Sequence, residues 1–372
     1  MLSRIKFEIT PLVNEILDQL PASTWLSTTS TFLDPAIAGG QFVREIERRL
    51  RAAGHSDENI HSRVFGVEQF PHQVAYAVNK YGLKGQYVVG DFLSMVFSMK
   101  FDNIVGNPPF NGKAALHQQF FNKGVDLLID GGIIAFVQPA TMYFNKKDNQ
   151  KKAVLEMQEK ITSNHCEVTF KHSQVFENAG IQNDLSITIL TKKSSSAYIN
   201  KITYKTGDVY NDVPLSDITL TQLDPKIYAS IWKKFTKSVT INGSLQDIVT
   251  DDTTILKAYI AKIRGHWPSD ADFYTLLPIE ANRQNYGPSI TADYGLIARS
   301  NKQVKNIYSY LESNVARFGL ALLKFNMHLE NGELKLIPLV DFNKTYTNEE
   351  LYNYVGLTRE EILAIENVLK TA

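Results

Sequence analysis

Cysteine is almost missing. Cys166 is the only one in 372 residues, which excludes an intrachain disulfide and any zinc site built from several thiolates. The eight histidines show no HExxH-type spacing, so the sequence expects no metal centre. No apolar run approaches the roughly 20 residues that span a bilayer, and the start MLSRIKFEITP lacks the apolar stretch and small-residue cleavage site of a secretion signal. These absences predict a cytoplasmic protein with no membrane partner. A charge of one sign is lacking too. Lys plus Arg and Asp plus Glu both total 39, so net charge announces no polyanionic ligand, although local basic clusters occur at Lys146, Lys147, Lys151 and Lys152, at Lys192 and Lys193, and at Lys233, Lys234 and Lys237.

Apolar side chains are plentiful. They make up 44% of the chain, enough to fill a large core across two domains. The first half alternates short apolar runs with amphipathic stretches, the pattern of a mainly parallel sheet crossed by helices. The runs are TFLD (31–34), RVFGVE (63–68), QYVVGD (86–91), FDNIVG (101–106), GGIIAFVQP (131–139), CEVTF (166–170) and LSITILT (185–191). Helical stretches such as QFVREIERRLRAAG and PHQVAYAVNKYG stop at glycine. After KKSSSAY (192–198) the alternation fades, which places a boundary near 195. At the far end, Thr347 with Glu350 and Thr358 with Glu361 read as capping boxes opening two short helices.

A parallel sheet presents its ligands outside the carboxyl ends of the strands. Asp34 closes the first run and is followed by Pro35-Ala36-Ile37-Ala38-Gly39-Gly40, a turn that lets backbone approach a ligand. Glu68 ends the second run, where an acid can take both hydroxyls of a ribose. Asp91-Phe92 ends the third, offering an acceptor and a ring for a purine. The fourth ends in Asn107-Pro108-Pro109-Phe110. Two prolines make a rigid extended corner, from which the Asn107 side-chain carbonyl and the Pro108 backbone carbonyl can converge on one point while Phe110 supplies a flat apolar face. That arrangement suits an exocyclic amine on a planar group. Two acceptors engaging the N–H bonds as the amine pyramidalises favour the transition state over the ground state.

These residues resemble the class I methyltransferases, and specifically the amino-group DNA methyltransferases that form N6-methyladenine. DPAIAGG resembles the first S-adenosylmethionine motif, GVE the ribose-binding position, GDF the adenine-binding position and NPPF the catalytic motif. The resemblance implies a Rossmann-like α/β fold with a mainly parallel seven-stranded sheet in 1–195, a C-terminal mixed α+β target-recognition domain in 196–345, and a helical tail in 346–372. Only 15 residues separate Asp91 from Asn107, so recognition must follow catalysis, the gamma ordering. By resemblance, Thr10, Pro11, Asp34, Ala36, Gly40, Glu68, Asp91, Phe92 and Asn107 contact S-adenosylmethionine; Asn107, Pro108 and Phe110 hold the target adenine, with Phe176 in QVFENAGIQNDLSITIL as a second stacking ring. One departure stands out: the first glycine of the family's motif is Ala38 here, with Gly39 beside it to compensate.

The reaction so implied is direct transfer to N6 of a base flipped from double-stranded DNA, without a cysteine nucleophile. Lys262, Arg264, His266, Arg283, Gln284 and Asn285 have the side chains that read base edges and phosphates. A separately encoded restriction endonuclease is the further partner, and the assembly expected is a monomer or weak dimer. An RNA adenine, a protein glutamine amide, or a non-catalytic nucleic-acid-binding role are the alternatives left open.

Overall fold

The computed structural model describes residues 10–110, 116–140, 143, 152–171, 185–194, 197–205, 207–218, 224–250, 260–265, 274–277, 294–323 and 331–371. Two compact units divide the chain between Ser216 and Asp217. In the first, all seven apolar runs form strands: β1 (Phe32–Asp34), β2 (Val64–Glu68), β3 (Gln86–Val89), β4 (Phe101–Gly106), β5 (Leu128–Pro139), β6 (Asn164–Lys171) and β7 (Leu185–Ser194). Two more follow, β8 (Tyr198–Thr203) and β9 (Val209–Pro214), and the single sheet has the order β3-β2-β1-β4-β5-β7-β6-β8-β9. The sheet therefore has nine strands where seven were expected, and the compact division lies some twenty residues beyond 195. The reason is chemical. β8 and β9 lie at the sheet's margin with most positions half-buried or exposed, and Asn200-Lys201 and Asn211-Asp212 break any apolar run there.

Strands β1 to β5 pair in parallel, and β7 runs antiparallel between β5 and β6. The helices of the first half are α1 (Thr10–Leu17), α2 (Ala22–Leu26), α3 (Gln41–Ala52), α4 (Asp57–Arg63), α5 (Pro71–Tyr81), α6 (Leu116–Leu127) and α7 (Lys152–Ser163). α3 buries Phe42, Val43, Ile46 and Leu50, the one-sided spacing of a helix lying on a sheet. α5 starts on Pro71 and stops at Gly82, whose φ of 60° no β-carbon opposes. Leu12, Val13, Ile16 and Leu17 of α1 join Phe32, Val105, Val137 and Ile187 in one core on this side of the sheet.

The second unit holds a four-stranded antiparallel sheet, β10 (Val249–Thr250), β11 (Ile260–Gly265), β12 (Tyr274–Leu277) and β13 (Tyr294–Ile297), ordered β10-β13-β11-β12. With it go α8 (Pro225–Asn242), α9 (Asn301–Leu311), α10 (Asn314–Leu323), α11 (Asn348–Val355) and α12 (Arg359–Thr371). The segment read as a separate tail belongs to this unit's core: Leu351, Tyr352, Val355, Ile365 and Leu369 cluster with Phe235 and Phe318. Both capping boxes form. Thr347 and Glu350 exchange side-chain-to-backbone bonds, and Thr358 and Glu361 do the same. Glu361 also binds Lys234 at 2.5 Å, so one cation of the third basic cluster is spent inside the unit.

Close helix packing beside β1 yields a stability test. Gly40 has φ 83°, and a β-carbon there would stand 2.7 Å from that of Ala77 on α5. Gly40→Ala is expected to cost about 2–5 kcal/mol in denaturant unfolding, from overpacking plus left-handed strain. Ala38, with φ 42°, already bears such strain, so Ala38→Gly should unfold within about 1 kcal/mol of the parent or above it.

Candidate active site

β1 and β4 are neighbours, yet the chain leaves β1 toward β2 on one flank and continues from β4 toward β5 on the other. A parallel sheet opens a crevice outside its carboxyl ends at such a reversal. Asp34 is the last residue of β1, and Asn107 directly follows β4, so the two flank this opening. Glu68 closes β2, and Asp91 comes two residues after β3. Four polar residues singled out from sequence thus share one edge of four adjacent parallel strands.

Asp34 is 1% exposed, and one carboxylate oxygen accepts the Ala36 amide at 3.0 Å. Burial pushes its carboxyl up to about 7, with the nearby Glu68 carboxylate acting in the same direction and the Ala36 bond against it. A β-carbon on Gly106 would lie 2.9 Å from the Asp34 Oδ1. Glycine at the end of β4 is what lets that carboxylate rest against the strand leading into Asn107.

The turn after Asp34 is pinned by Glu68. Its Oε2 accepts the Ala38 amide at 2.9 Å and its Oε1 the Phe70 amide at 3.0 Å, while the Ile37 amide bonds the Val67 carbonyl at 3.0 Å. A carboxylate has about four acceptor sites, so each Glu68 oxygen retains one for a hydroxyl. Positive φ falls on Ala38 and Gly40 and not on Gly39. The alanine itself adopts the left-handed backbone, and Gly39 does not compensate for it.

Asp91 is exposed, with Oδ1 accepting the Leu93 amide at 3.1 Å. Phe92 is placed otherwise than its position after the strand suggests: it is 1% exposed, packed against Phe97 and Phe120 at ring-centroid distances of 5.8 and 5.0 Å, with the Lys123 ammonium 5.1 Å from its centroid. A half-exposed ring does stand at this edge, Phe70, two residues past Glu68. Sequence reasoning missed it, although an aromatic just after a strand-end acid is a readable signal.

Asn107 is half-buried, Pro108 buried, Pro109 exposed and Phe110 half-buried. The side-chain carbonyl oxygen of Asn107 is buried and has no hydrogen-bond partner among the described residues. Buried acceptors are ordinarily paired, so this one is poised for a donor from outside the chain. The Phe110 ring meets the His117 ring edge to face, with centroids 6.4 Å apart and planes at 85°. His117, in the first turn of α6, is a second residue that sequence reasoning missed.

The remaining candidates are less informative. Thr10 opens α1, Pro11 is exposed on it, and Ala36 is half-buried in the turn. Phe176 lies outside the described residues, as do His266, Arg283, Gln284 and Asn285; Lys171 and Leu185, the described residues on either side of Phe176, pair across β6 and β7. Lys262 and Arg264 sit on β11 opposite Leu277 and Thr275 of β12. Cys166 is fully buried in β6, and burial drives its thiol far above the range in which a thiolate forms, which leaves no cysteine nucleophile.

Comparison with known proteins finds methyltransferases. The family model of the methyltransferase small domain matches residues 72–147. Over 137 aligned residues, covering 29% of each chain, the sequence is 31% identical to the Type II methyltransferase M.TthHB8I of Thermus thermophilus. Among solved structures, a modification subunit attributed to a type I restriction enzyme of Vibrio vulnificus aligns with a TM-score of 0.43 and 18% identity, over 52% of this chain and 46% of that one. The type I restriction enzyme EcoKI M protein aligns at 0.42 and 16%, over 54% and 48%. The chain spans under a third of the curated relative and under half of either solved neighbour. The parallel order 3-2-1-4-5, extended by an antiparallel seventh strand between the fifth and sixth, is that of the class I methyltransferases. The first unit has that fold, whose cofactor is S-adenosylmethionine.

The raised Asp34 carboxyl has a pH consequence. The folded state holds this proton more tightly than the unfolded state, so the contribution to stability is complete below about 3.8 and is lost as pH rises through about 7. Asp34→Asn mimics the protonated form, so its melting temperature relative to the parent should climb between about pH 4 and 7. A difference that stays flat across that window contradicts the burial argument.

Proposed function

We propose that this chain transfers a methyl group from S-adenosylmethionine to the N6 amine of an adenine flipped out of duplex DNA. The observation that carries this reading is the unpaired, buried Oδ1 of Asn107, one residue beyond β4 on a corner fixed by Pro108 and Pro109. An amine N–H fills that vacancy, and the Pro108 carbonyl takes the second.

The residues at the carboxyl edge fit the cofactor. Glu68, oriented by two backbone amides and with an acceptor site left on each oxygen, suits the two ribose hydroxyls. Phe70 offers the exposed ring for the purine. Asp91 stands at the mouth for its amino group. When bound, the cofactor supplies a sulfonium methyl as an electrophile. Asn107 and Pro108 then act by accepting hydrogen bonds whose strength grows as positive charge develops on the amine nitrogen, and the surplus proton, which neither carbonyl is basic enough to keep, passes to solvent water. Asp34, ionised above about 7, favours a cation in the crevice. Flipping the base costs a few kcal/mol, offset by stacking on Phe110 and on Phe176.

The second unit, in this reading, recognises the DNA site, with Lys262 and Arg264 on β11 and His266, Arg283, Gln284 and Asn285 as the side chains contacting bases and phosphates. The likeness to a Type II methyltransferase supports DNA as the substrate.

Labelled S-adenosylmethionine incubated with unmodified duplex DNA, followed by digestion to nucleosides, should return N6-methyladenine. Label in RNA or in a protein amide, with none in DNA, would redirect the reading to those acceptors. Asn107→Ala should lower the transfer rate by about a hundredfold or more while cofactor affinity, read by calorimetry, stays near the parent value; turnover close to the parent would remove the acceptor role.

A further inference from the structure

His117 is 7% exposed, and neither ring nitrogen has a hydrogen-bond partner among the described residues. Burial lowers its pKa to about 4, so the imidazole is neutral at working pH. A neutral imidazole carries one donor and one acceptor; leaving both unpaired in the interior costs stability that an aliphatic side chain of similar size would return. A local rule broken without a local gain points to function. The position supports this, because His117 lies in the first turn of the helix that follows the Asn107–Phe110 corner, and among the described residues its ring meets that of Phe110, planes at 85° and centroids 6.4 Å apart.

We propose that His117 is a positioning residue for methyl transfer: its polar imidazole edge fixes the plane of Phe110, and Phe110 in turn sets the plane of the methyl acceptor stacked on it. The proposal rests on the reading of Phe110 as the acceptor's stacking face. The physical basis is the aromatic quadrupole. A ring edge carrying positive partial charge prefers to meet the face of a neighbouring ring at a right angle, and that preference restricts rotation of Phe110 about its side-chain bonds. An aliphatic group of the same volume fills the space without such a directional preference. A stacking ring free to tilt would present the amine out of line with the electrophile, and a misplacement of about 1 Å can cost about a hundredfold in rate. His117 does not itself reach the reacting atoms.

The test uses the full chain with S-adenosylmethionine and duplex DNA. His117→Leu is expected to melt at or above the parent temperature, to keep the parent KM for cofactor, and to lose between about tenfold and a hundredfold in kcat. His117→Met, likewise apolar and without a ring, gives the same readout should leucine prevent folding. His117→Gln, which restores a neutral polar edge, should recover part of the lost kcat. An apolar variant with the parent kcat overturns the proposal and makes His117 an unsatisfied core histidine. A glutamine variant no faster than leucine also overturns it, since the polar edge would then be irrelevant. A parent protein that transfers no methyl to DNA is a different result, and ends the DNA reading and this inference together.

Discussion

The close approach of the Asp34 carboxylate to Gly106 is the contact on which the site depends. It joins the carboxyl end of β1 to that of β4, the two strands flanking the reversal in strand order, and leaves no room for a side chain at residue 106. Everything chemical lies within a few residues of that contact. The turn after Asp34 hangs from Glu68 through the Ala38 amide, and the Asn107 corner continues directly from Gly106. The polar residues that end β1 and β2 and the Asn107 corner after β4 are thereby tied to one edge, which suits the in-line geometry that the proposed reaction needs.

Stability is surrendered at the same edge. Asp34 is a carboxylate enclosed without a cation, Ala38 holds a backbone angle that disfavours a β-carbon, and Asn107 and His117 bury polar atoms without partners. Glu47, also fully buried, is by contrast satisfied: it receives the Lys84 and Gly85 amides, the Tyr87 hydroxyl and Arg51. Unpaired atoms of Asn107 and His117 beside a crevice fit a preorganised site.

Much of this was legible in the sequence. Seven of the nine strands of the first unit were visible as short apolar runs, and once their ends were located Asp34, Glu68, Asp91 and Asn107 followed. β8 and β9 were not, since Asn200-Lys201 and Asn211-Asp212 interrupt them. The burial of Phe92 could not be read either: an aromatic after a strand-end acid looks the same whether it faces solvent or the core, and here Phe97, Phe120 and Lys123, distant in sequence, decide it. His117 was overlooked because a histidine within an apolar helix becomes informative only when its missing partners are seen. In the second unit, capping boxes marked the last two helices through local chemistry, whereas its antiparallel sheet depends on pairings between segments with little pattern of their own.

The central claim is that the crevice between the ends of β1 and β4 seats the cofactor with Asn107 facing the acceptor. A crystal structure of the full chain with S-adenosylhomocysteine tests it most directly. The account predicts the ligand in that crevice, both ribose hydroxyls on Glu68, and the Asn107 Oδ1 still without a protein partner. A ligand bound elsewhere, or an Asn107 carbonyl engaged by the protein itself, would contradict it.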